Sequence, residues 1–378
     1  MIGIERIAIV AVVAALAGSP ALAGAAEEDG PTTSACTAPS RQLRDELFVP
    51  VGGIEQWVTI KGGSCANPVI LFLHGGPGNT LSPYADAIYG SWEKDFTLVQ
   101  WDQRGAGRTY GRNAPPADPA LNTERMAEDG IALAEYLVRR LGKKRIILMG
   151  GSWGSILGVH MARSRPDLFH AYVGVSQIVG YRDNQFASYS KVMAMARAAG
   201  DRPTISALEA LGPPPWENPR NSGVLRRATR AYEAKTSIPA PKSWWVRAPA
   251  YDSAQVRAEY LEGEDHSYLQ FVGRKGDGMF SRVDLPGLGS AFEIPVFIIQ
   301  GSEDLVAIPE VARRYFDGIA APQKEFVLVP HAGHDPNVPL IEAQYRILSE
   351  RVRPQAKRAE RQGQRSPATG QAPRGAGN

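Results

Sequence analysis

The residues with the clearest capacity for chemistry form the turn Gly150-Gly151-Ser152-Trp153-Gly154. A short strand-like stretch at 144–149 precedes this turn, and a helix-forming stretch at 155–165 follows it. A serine within G-x-S-x-G at a strand-to-helix turn has its hydroxyl held out for nucleophilic attack, and the glycines keep neighbouring side chains from colliding. A glycine-rich phosphate-binding turn is the alternative. Against it, no lysine follows in the P-loop position and no G-x-G-x-x-G is present.

A serine hydroxyl needs a base within hydrogen-bond reach and a third group that orients this base. Asp304 and His334 each follow a predicted late strand, at the edge where parallel sheets place their ligand sites. The order serine, acid, histidine therefore predicts Ser152, Asp304 and His334 as catalytic residues. Glu303 is the rival acid, and His331 is the rival base. Activity should rise as the histidine loses its proton, near the unperturbed value of about 6.5.

The oxyanion that forms on an attacked carbonyl needs hydrogen-bond donors already aimed at it, and the loss of one such donor typically costs about 10²–10³ in turnover. The backbone N–H of Trp153, directly after the serine, is one candidate. The second is the N–H of Gly76, within the loop His74-Gly75-Gly76-Pro77-Gly78, where glycines allow close backbone approach. Gly76 and Trp153 are the predicted oxyanion-hole residues.

Apolar stretches that alternate with helical segments predict the scaffold that positions these loops. The alternation stops after the sixth strand for about 110 residues rich in Trp, Tyr, Pro and Arg, then resumes. The pattern predicts an α/β fold with a mostly parallel sheet flanked by helices and a mainly helical cap inserted after the sixth strand. The strands are predicted at 47–51, 56–60, 68–73, 96–101, 144–149, 171–176, 295–300 and 325–329.

The beginning of the chain is typical of an export signal, because an apolar run at 7–17 is followed by Ala21-Leu22-Ala23, an A-x-A cleavage pattern. The run is too short to span a bilayer. We expect cleavage, export to the periplasm or the medium, and no stable membrane insertion afterwards; an uncleaved anchor is the alternative. In an oxidising compartment Cys36 and Cys65 would pair, and two free thiols are the other reading.

These patterns divide the chain into six segments. The predicted segments are a signal peptide at 1–23, a linker at 24–42, the first part of the core at 43–178, the helical cap at 179–291, the second part of the core at 292–353 and a disordered basic tail at 354–378.

The composition fits a globular protein, with 378 residues of which 43% are hydrophobic and 21% are charged. The net charge of +3 has its surplus at the end of the chain, where seven basic residues from Arg351 onward face one acid. A basic character confined to a tail predicts no nucleic-acid partner. Six histidines and two separated cysteines, without H-E-x-x-H or C-x-x-C, predict no metal and no other cofactor.

Five motifs follow one another along the chain: HGGPG at 74–78, DQRGAGR at 102–108, GGSWG at 150–154, GSED at 301–304 and GH at 333–334. Together they resemble the proline iminopeptidase family of α/β-hydrolases, over roughly residues 43–178 and 292–350. The resemblance implies an α/β-hydrolase fold, with Ser152, Asp304 and His334 as the triad and the amides of Gly76 and Trp153 as the oxyanion hole. It also implies removal of an N-terminal residue, usually proline, without a metal.

Members of that family hold the free α-amino group of the substrate with cap glutamates, in many cases within a Trp-x-x-Trp-Glu stretch that is not found here. An ammonium group buried under a lid needs a paired carboxylate. The acidic cluster Glu259, Glu262 and Glu264 supplies the predicted substrate-binding residues. An acidic helix end that faces water is the alternative.

The leading hypothesis is an exported serine peptidase that releases an N-terminal residue from small peptides or aminoacyl substrates through an acyl-enzyme. An esterase or amidase with the same triad is the second reading, and a non-catalytic binding protein of this fold is the third. The requirement for a free amine on the substrate separates the first reading from the second.

Overall fold

The computed structural model describes residues 35–115 and 121–364. These residues include eight strands: β1 (Leu43–Val51), β2 (Ile54–Gly62), β3 (Val69–Leu73), β4 (Thr97–Trp101), β5 (Ile146–Gly151), β6 (Phe169–Val175), β7 (Val296–Gly301) and β8 (Lys324–Val329). They form one sheet in the order β1-β2-β4-β3-β5-β6-β7-β8. The strand β2 pairs antiparallel with β1 and β4, and the other neighbouring pairs are parallel.

Burial along the strands explains why continuous apolar runs predicted them. All residues of β3, β4, β6 and β7 are buried, as expected for strands with both faces covered. The edge strands β1 and β8 keep exposed or half-buried positions. The hairpin predicted around Gly52-Gly53 is present, and β1 begins earlier than predicted because Leu43 pairs with Gly62.

Helices cover both faces of the sheet. The α-helices are α1 (Ala85–Tyr89), α2 (Gly107–Asn113), α3 (Thr123–Leu141), α4 (Trp153–Ser164), α5 (Tyr181–Ala198), α6 (Arg202–Leu211), α7 (Pro219–Glu233), α8 (Ala254–Val272), α9 (Pro309–Gly318), α10 (Val338–Ile347) and α11 (Arg353–Gln364). Leu137 of α3 and Ile156 of α4 pack in one apolar core, and Ile341 of α10 packs in a second. Side chains alternate between the two faces along a strand. Ile298 of β7 therefore packs in the first core, and the preceding residue Phe297 packs in the second.

The insertion between β6 and β7 contains α5 to α8 and forms the cap. Helix α8 docks on the core through Tyr260, Gly263 and Ser267, which share one helix face. The Tyr260 hydroxyl donates to Oδ2 of buried Asp102 at 2.7 Å, and the Ser267 hydroxyl donates to the Gly105 carbonyl at 2.7 Å. The α/β-hydrolase architecture, with a mainly helical cap after the sixth strand, is confirmed.

The described part of the predicted linker is attached to the core. Cys36 and Cys65 form a disulfide, and the Ala35 amide donates to the Arg140 carbonyl at 2.8 Å. These contacts hold Ala35 and Cys36 against the core, within the stretch predicted as a linker. The predicted signal peptide at 1–23 lies outside the described residues.

The predicted disordered tail begins instead as helix α11, and residues 365–378 lie outside the described part of the chain. Arg353 forms an ion pair with Asp95 at 2.8 Å, and Glu360 accepts a hydrogen bond from the Lys144 amide at 3.1 Å. Ala356 is fully buried. Charged composition indicated a solvated segment, but these charges bind groups of the core. Within the described ranges, no helix has both the length and the apolar character that a membrane span requires.

Candidate active site

Ser152 lies in the turn between β5 and α4, in a backbone conformation that few non-glycine residues adopt. Its φ is 52° and its ψ is −117°. The Ser152 amide donates to the Val175 carbonyl at 3.0 Å, which anchors the turn to the end of β6. A strained turn held by its surroundings is the feature expected of a nucleophile elbow.

Two of the three glycines around Ser152 are required by close backbone approach. A Cβ at Gly150 would lie 2.1 Å from the Gly154 carbonyl oxygen, and a Cβ at Gly154 would lie 2.0 Å from the Leu73 carbonyl oxygen. A Cβ at Gly151 would meet no atom within 4 Å. The sequence argument that all three glycines prevent collisions is therefore wrong for Gly151, which faces open space.

Ser152 and the two side chains predicted from the late loops, Asp304 and His334, form one chain of hydrogen bonds. The distance between His334 Nε2 and Ser152 Oγ is 2.9 Å. On the other side of the imidazole, Nδ1 lies 3.0 Å from Oδ1 and 3.1 Å from Oδ2 of Asp304. With Asp304 accepting the proton of Nδ1, the Nε2 atom is free to accept the serine proton. The geometry is that of a nucleophile, a base and an orienting acid.

Backbone donors hold the Asp304 carboxylate in place. The amides of Val306 and Ala307 donate to its Oδ1 at 2.9 and 2.8 Å, and the Gln300 side-chain amide donates to its Oδ2 at 2.9 Å. Burial opposes its charge, but His334 and these amides together lower the pKa of Asp304 below its ordinary value. A carboxylate so held stays ionised in the buried site.

The pKa of His334 departs from the unperturbed value expected from sequence. Burial disfavours the imidazolium, but the Asp304 carboxylate outweighs burial and raises the pKa of His334 above its ordinary range. The acid limb of a pH–rate profile should accordingly lie above the value of about 6.5 that an isolated histidine gives.

The rival acid and the rival base occupy other positions. Glu303 accepts a hydrogen bond from the Thr236 hydroxyl at 2.9 Å, so its carboxylate is turned toward the cap. His331 has a positive φ of 56°, and its Nδ1 lies 3.4 Å from the Thr236 carbonyl. The structure therefore brings Asp304 and His334 to the serine, and turns both rivals toward residue 236.

The two amides predicted as oxyanion donors belong to loops that flank Ser152. Trp153 is the first residue of α4, and Gly76 lies in the loop after β3. A Cβ at the neighbouring Gly75 would lie 3.4 Å from Ser152 Cβ, so this loop runs beside the nucleophile. Within the described residues, no protein acceptor takes the amide hydrogens of Gly76 or Trp153. Both remain available to a ligand.

Gln103 links these two loops. Its side-chain oxygen accepts from Trp153 Nε1 at 3.0 Å, and its side-chain nitrogen donates to the His74 carbonyl at 3.3 Å. His74 Nε2 accepts from the Gln103 amide at 3.2 Å, so its Nδ1 carries the proton that Gly75 O accepts. Burial lowers the pKa of His74 to about 4, which keeps the ring neutral. His74 thus supports the loop that it opens.

A cavity of about 1240 Å³ lies between the cap and the elbow, with Ser152 and His334 in its wall. Aromatic side chains of core and cap meet here. Phe271 and Phe280 stack with ring centroids 4.6 Å apart, and Trp153 packs edge-on against Phe271 at 5.5 Å. This apolar wall suits a small hydrophobic group attached to the attacked carbonyl.

The acidic cluster of the cap divides between different environments. Glu264 lines the cavity. Glu259 bonds to Gln255 at 3.1 Å and lies over Gly111 of α2, and Glu262 is exposed. Both lie outside the cavity wall, because the docked face of α8 turns them toward α2 and toward solvent. Of the three predicted substrate-binding acids, the structure brings only Glu264 to the cavity.

Glu233 is a cavity carboxylate that sequence reasoning missed. This last residue of α7 is 6% exposed and lines the cavity with the serine and the histidine. Its Oε1 accepts from the Leu305 amide at 2.8 Å, directly after Asp304. Burial and the Asp304 charge raise the pKa of Glu233. No local pattern singles out Glu233, since Trp216-Glu217 in the same cap also places an acid directly after an aromatic residue and Glu217 is exposed.

A metal centre is not evident in the part of the chain that the structure describes. No group of three or more His, Cys, Asp or Glu side chains there is arranged to hold a metal ion. The polar groups around Ser152 are the backbone amides of two loops, the imidazole of His334 and the carboxylates of Asp304 and Glu233.

Comparisons with known proteins agree with this architecture. Residues 68–338 match the family model of the alpha/beta hydrolase fold. The chain is 27% identical over 291 residues to the probable aminopeptidase YbaC of Bacillus subtilis (strain 168), covering 76% of this chain and 90% of that protein. It is 29% identical over 299 residues to a probable proline iminopeptidase of Streptomyces coelicolor, covering 72% and 85%. The crystal structure of a Mycobacterium smegmatis proline iminopeptidase superposes with a TM-score of 0.58 at 19% identity, covering 83% of this chain and 100% of that one.

Proposed function

The chain belongs to the alpha/beta hydrolase fold family and is an enzyme of the hydrolase class, and on this premise we propose that it is a serine aminopeptidase of the proline iminopeptidase type. The observation that carries the proposal is the hydrogen-bond chain from Ser152 through His334 to Asp304, at 2.9 and 3.0 Å. The similarity over most of the chain to a probable aminopeptidase and to a probable proline iminopeptidase supports the same activity class.

The proposed reaction has two halves. His334 Nε2 takes the proton of Ser152 as Oγ attacks the carbonyl carbon of the first peptide bond, and the amides of Gly76 and Trp153 hold the resulting oxyanion. The C–N bond breaks as His334 returns the proton to the leaving amine, which leaves an acyl-enzyme. Water then attacks the ester with the same histidine as base, releasing the free amino acid and restoring the serine. Asp304 keeps the imidazole in the required tautomer throughout.

Glu233 is the residue proposed to select for a free amino terminus. It lies beside the triad, since Cβ and Cδ of Glu233 would be 3.3 and 3.4 Å from a Cβ placed at Gly333, the residue before His334. A buried ammonium is stabilised by a nearby carboxylate, and the same carboxylate would repel or leave unsatisfied an acylated terminus. The stacked aromatic wall beside Trp153 then receives the side chain of the N-terminal residue, for which the small ring of proline is suitable.

An esterase or amidase with the same triad is the second candidate function. The observation that favours it is the absence of a Trp-x-x-Trp-Glu stretch from the cap. The two functions differ in one property: the aminopeptidase needs a free amine on its substrate, and the esterase does not.

Replacing Glu233 with glutamine is expected to lower kcat/KM for proline p-nitroanilide by about 10²-fold, because removal of one partner of a buried charge pair leaves the substrate ammonium uncompensated. Glutamine retains an oxygen that can accept from the Leu305 amide, so the fold of the neighbouring loop is kept. Hydrolysis of p-nitrophenyl acetate, which has no amine, should change little. Steady-state kinetics on these two substrates measure both effects.

Glu262→Gln is the matched control, because Glu262 lies on the cap and faces solvent; its kinetics should equal those of the wild type. The wild type should also discriminate strongly against N-acetylproline p-nitroanilide. Equal rates on the free and the acetylated substrate would exclude the aminopeptidase and favour the esterase or amidase.

We also propose that the protein is exported and cleaved after Ala23. Support comes from the apolar run and A-x-A pattern before Gly24 and from the Cys36–Cys65 disulfide, a bond that persists in oxidising compartments. Amino-terminal sequencing of the protein from the periplasm or medium is expected to begin at Gly24. Recovery of the protein only from the cytoplasm, with Met1 intact, would contradict export.

A further inference from the structure

Helix α7 carries a row of charged side chains along the cavity beyond Glu233. Arg226, Arg227 and Arg230 all line the cavity. Two of these arginines have acidic partners. Arg226 Nη2 lies 2.8 Å from Asp335 Oδ1 and Arg226 Nη1 lies 3.5 Å from Glu233 Oε2, and Arg230 Nε lies 3.6 Å from Asp335 Oδ2. Among the described residues, no carboxylate lies within 4.0 Å of the Arg227 guanidinium. Of the three arginines of α7 that line the cavity, Arg227 is therefore the one without an acidic partner among the described residues.

The acids on the opposite helix are compensated by other cations. Glu264 and Asp265 of α8 also line the cavity. Burial and the Asp265 charge raise the pKa of Glu264, whereas Arg230 and Arg247 act to lower it. Arg230 and Arg247 are therefore the cations that stabilise the Glu264 charge.

Arg227 lies where the main cavity continues into a second recess. This recess, of about 510 Å³, lies between α7 and α8 and shares Gly223, Arg227, Tyr268 and Val272 with the main cavity. Val224 and Leu269 make its floor apolar. A positive charge at the rim of an apolar recess suits a ligand end that carries both a carboxylate and a hydrophobic side chain.

Helix α7 provides a scale for the length of such a ligand. The backbone positions of Glu233 and Arg227 are six residues apart, about 9 Å along the axis at 1.5 Å per residue, and both side chains line the cavity. An extended peptide spans about 3.3–3.6 Å per residue, so three residues cover about 10 Å. A dipeptide, at about 7 Å, falls short of this separation. A tripeptide whose amine lies at Glu233 therefore brings its terminal carboxylate to the neighbourhood of Arg227.

We propose that Arg227 forms a subsite for the free C-terminal carboxylate of the substrate, with the apolar recess between α7 and α8 receiving the last side chain. This inference rests on the proposed aminopeptidase function and narrows its substrate class to short peptides of about three residues with an unblocked carboxyl end. Arg220, two helical turns farther along α7 and also in the recess, extends the positive surface in the same direction.

The test compares prolyl-glycyl-leucine with its C-terminal amide. The wild type is expected to show a kcat/KM about tenfold higher for the free acid, the effect of one charge-assisted hydrogen bond. Arg227→Gln should abolish this preference by lowering kcat/KM for the acid, while kcat/KM for the amide and for proline p-nitroanilide stays unchanged. Prolyl-leucine is too short for its carboxylate to lie at Arg227 when its amine lies at Glu233. Its kcat/KM should therefore be the same in the wild type and in Arg227→Gln.

Arg314→Gln is the matched control, because Arg314 is exposed on α9 in the core; it should keep the preference for the acid. Equal kcat/KM for acid and amide in the wild type, or a preference that persists in Arg227→Gln, would overturn the subsite. If the wild type hydrolyses proline p-nitroanilide but has equal kcat/KM for the free acid and the amide, the result contradicts the carboxylate subsite and leaves the proposed function intact. A wild type with no free-amine requirement contradicts the proposed function itself.

Discussion

Replacing Ser152 with alanine is expected to lower turnover of proline p-nitroanilide by about 10⁴-fold or more, because loss of the nucleophile from a triad that acts as a unit removes most of the rate enhancement. The hydroxyl is the atom that His334 contacts at 2.9 Å, and alanine keeps the Cβ beside Gly75. The elbow should therefore keep its shape. Steady-state kinetics and labelling by a fluorophosphonate probe, which forms a covalent bond with an activated serine, measure the loss.

Ser91→Ala is the control for Ser152→Ala, since Ser91 is an exposed serine between α1 and β4. This variant should be labelled and should turn over substrate like the wild type. The Tm values of the wild type, Ser152→Ala and Ser91→Ala should agree within a few degrees. Turnover or probe labelling that survives in Ser152→Ala would refute the assignment of the nucleophile, whatever the substrate.

Asp304→Asn is expected to lower kcat by roughly 10⁴-fold, the loss known for this substitution in a serine triad. Two backbone amides, of Val306 and Ala307, donate to Oδ1 and one side-chain amide, of Gln300, donates to Oδ2, so the new amide nitrogen would replace Oδ2, where it opposes fewer donors. That nitrogen donates toward His334 Nδ1, 3.1 Å away. The ring then accepts at Nδ1 and carries its proton at Nε2, where it cannot take the serine proton.

The same substitution is expected to move the pH dependence. In the wild type the Asp304 carboxylate raises the pKa of His334. Removing the negative charge destabilises the imidazolium, so the acid limb of the residual kcat/KM profile should shift to lower pH. Glu303→Gln, which changes the adjacent acid, should leave both rate and profile unaltered. An acid limb that stays in place in Asp304→Asn would show that another group titrates there.

The proximity of Ser152, Asp304 and His334 could be predicted because their local sequences carry the information. Close backbone packing at Gly150 and Gly154 imposes residue types that are visible in one stretch. Asp304 and His334 follow apolar strands, and parallel strands bring their ends to a common edge. The same logic gave the sheet and the place of the cap, since runs buried on both faces have a simple hydrophobic signature.

The lining of the cavity could not be predicted in the same way. Which acids of α8 face the cavity depends on the docked face of Tyr260, Gly263 and Ser267, and that face is chosen by contacts with Asp102 and Gly105 some 160 residues earlier. The hydrophobic periodicity of α8 is weak, so no pattern marked its buried side. Spatial contacts of this kind are decided only when the whole chain has folded.

The helix α11 (353–364) illustrates a second limit of prediction from sequence. A run of arginines with few large apolar residues has the composition of a solvated segment. Its order comes from single partners on distant elements, such as Asp95 for Arg353 and the Lys144 amide for Glu360. Composition averages over a segment and contains no information about such partners.

Gln103 has a consequence for how the proposed oxyanion pocket responds to disturbance. The loops that carry Gly76 and Trp153 are 77 positions apart in the chain, yet one amide side chain holds both, at 3.3 Å to the His74 carbonyl and 3.0 Å to the Trp153 indole. The two loops also leave paired strands, since Leu73 of β3 lies opposite Gly150 of β5, so the glutamine adds a side-chain link beyond the backbone pairing. A change at Gln103 would therefore act on the parts of both loops beyond the paired strands, which carry the two proposed oxyanion donors.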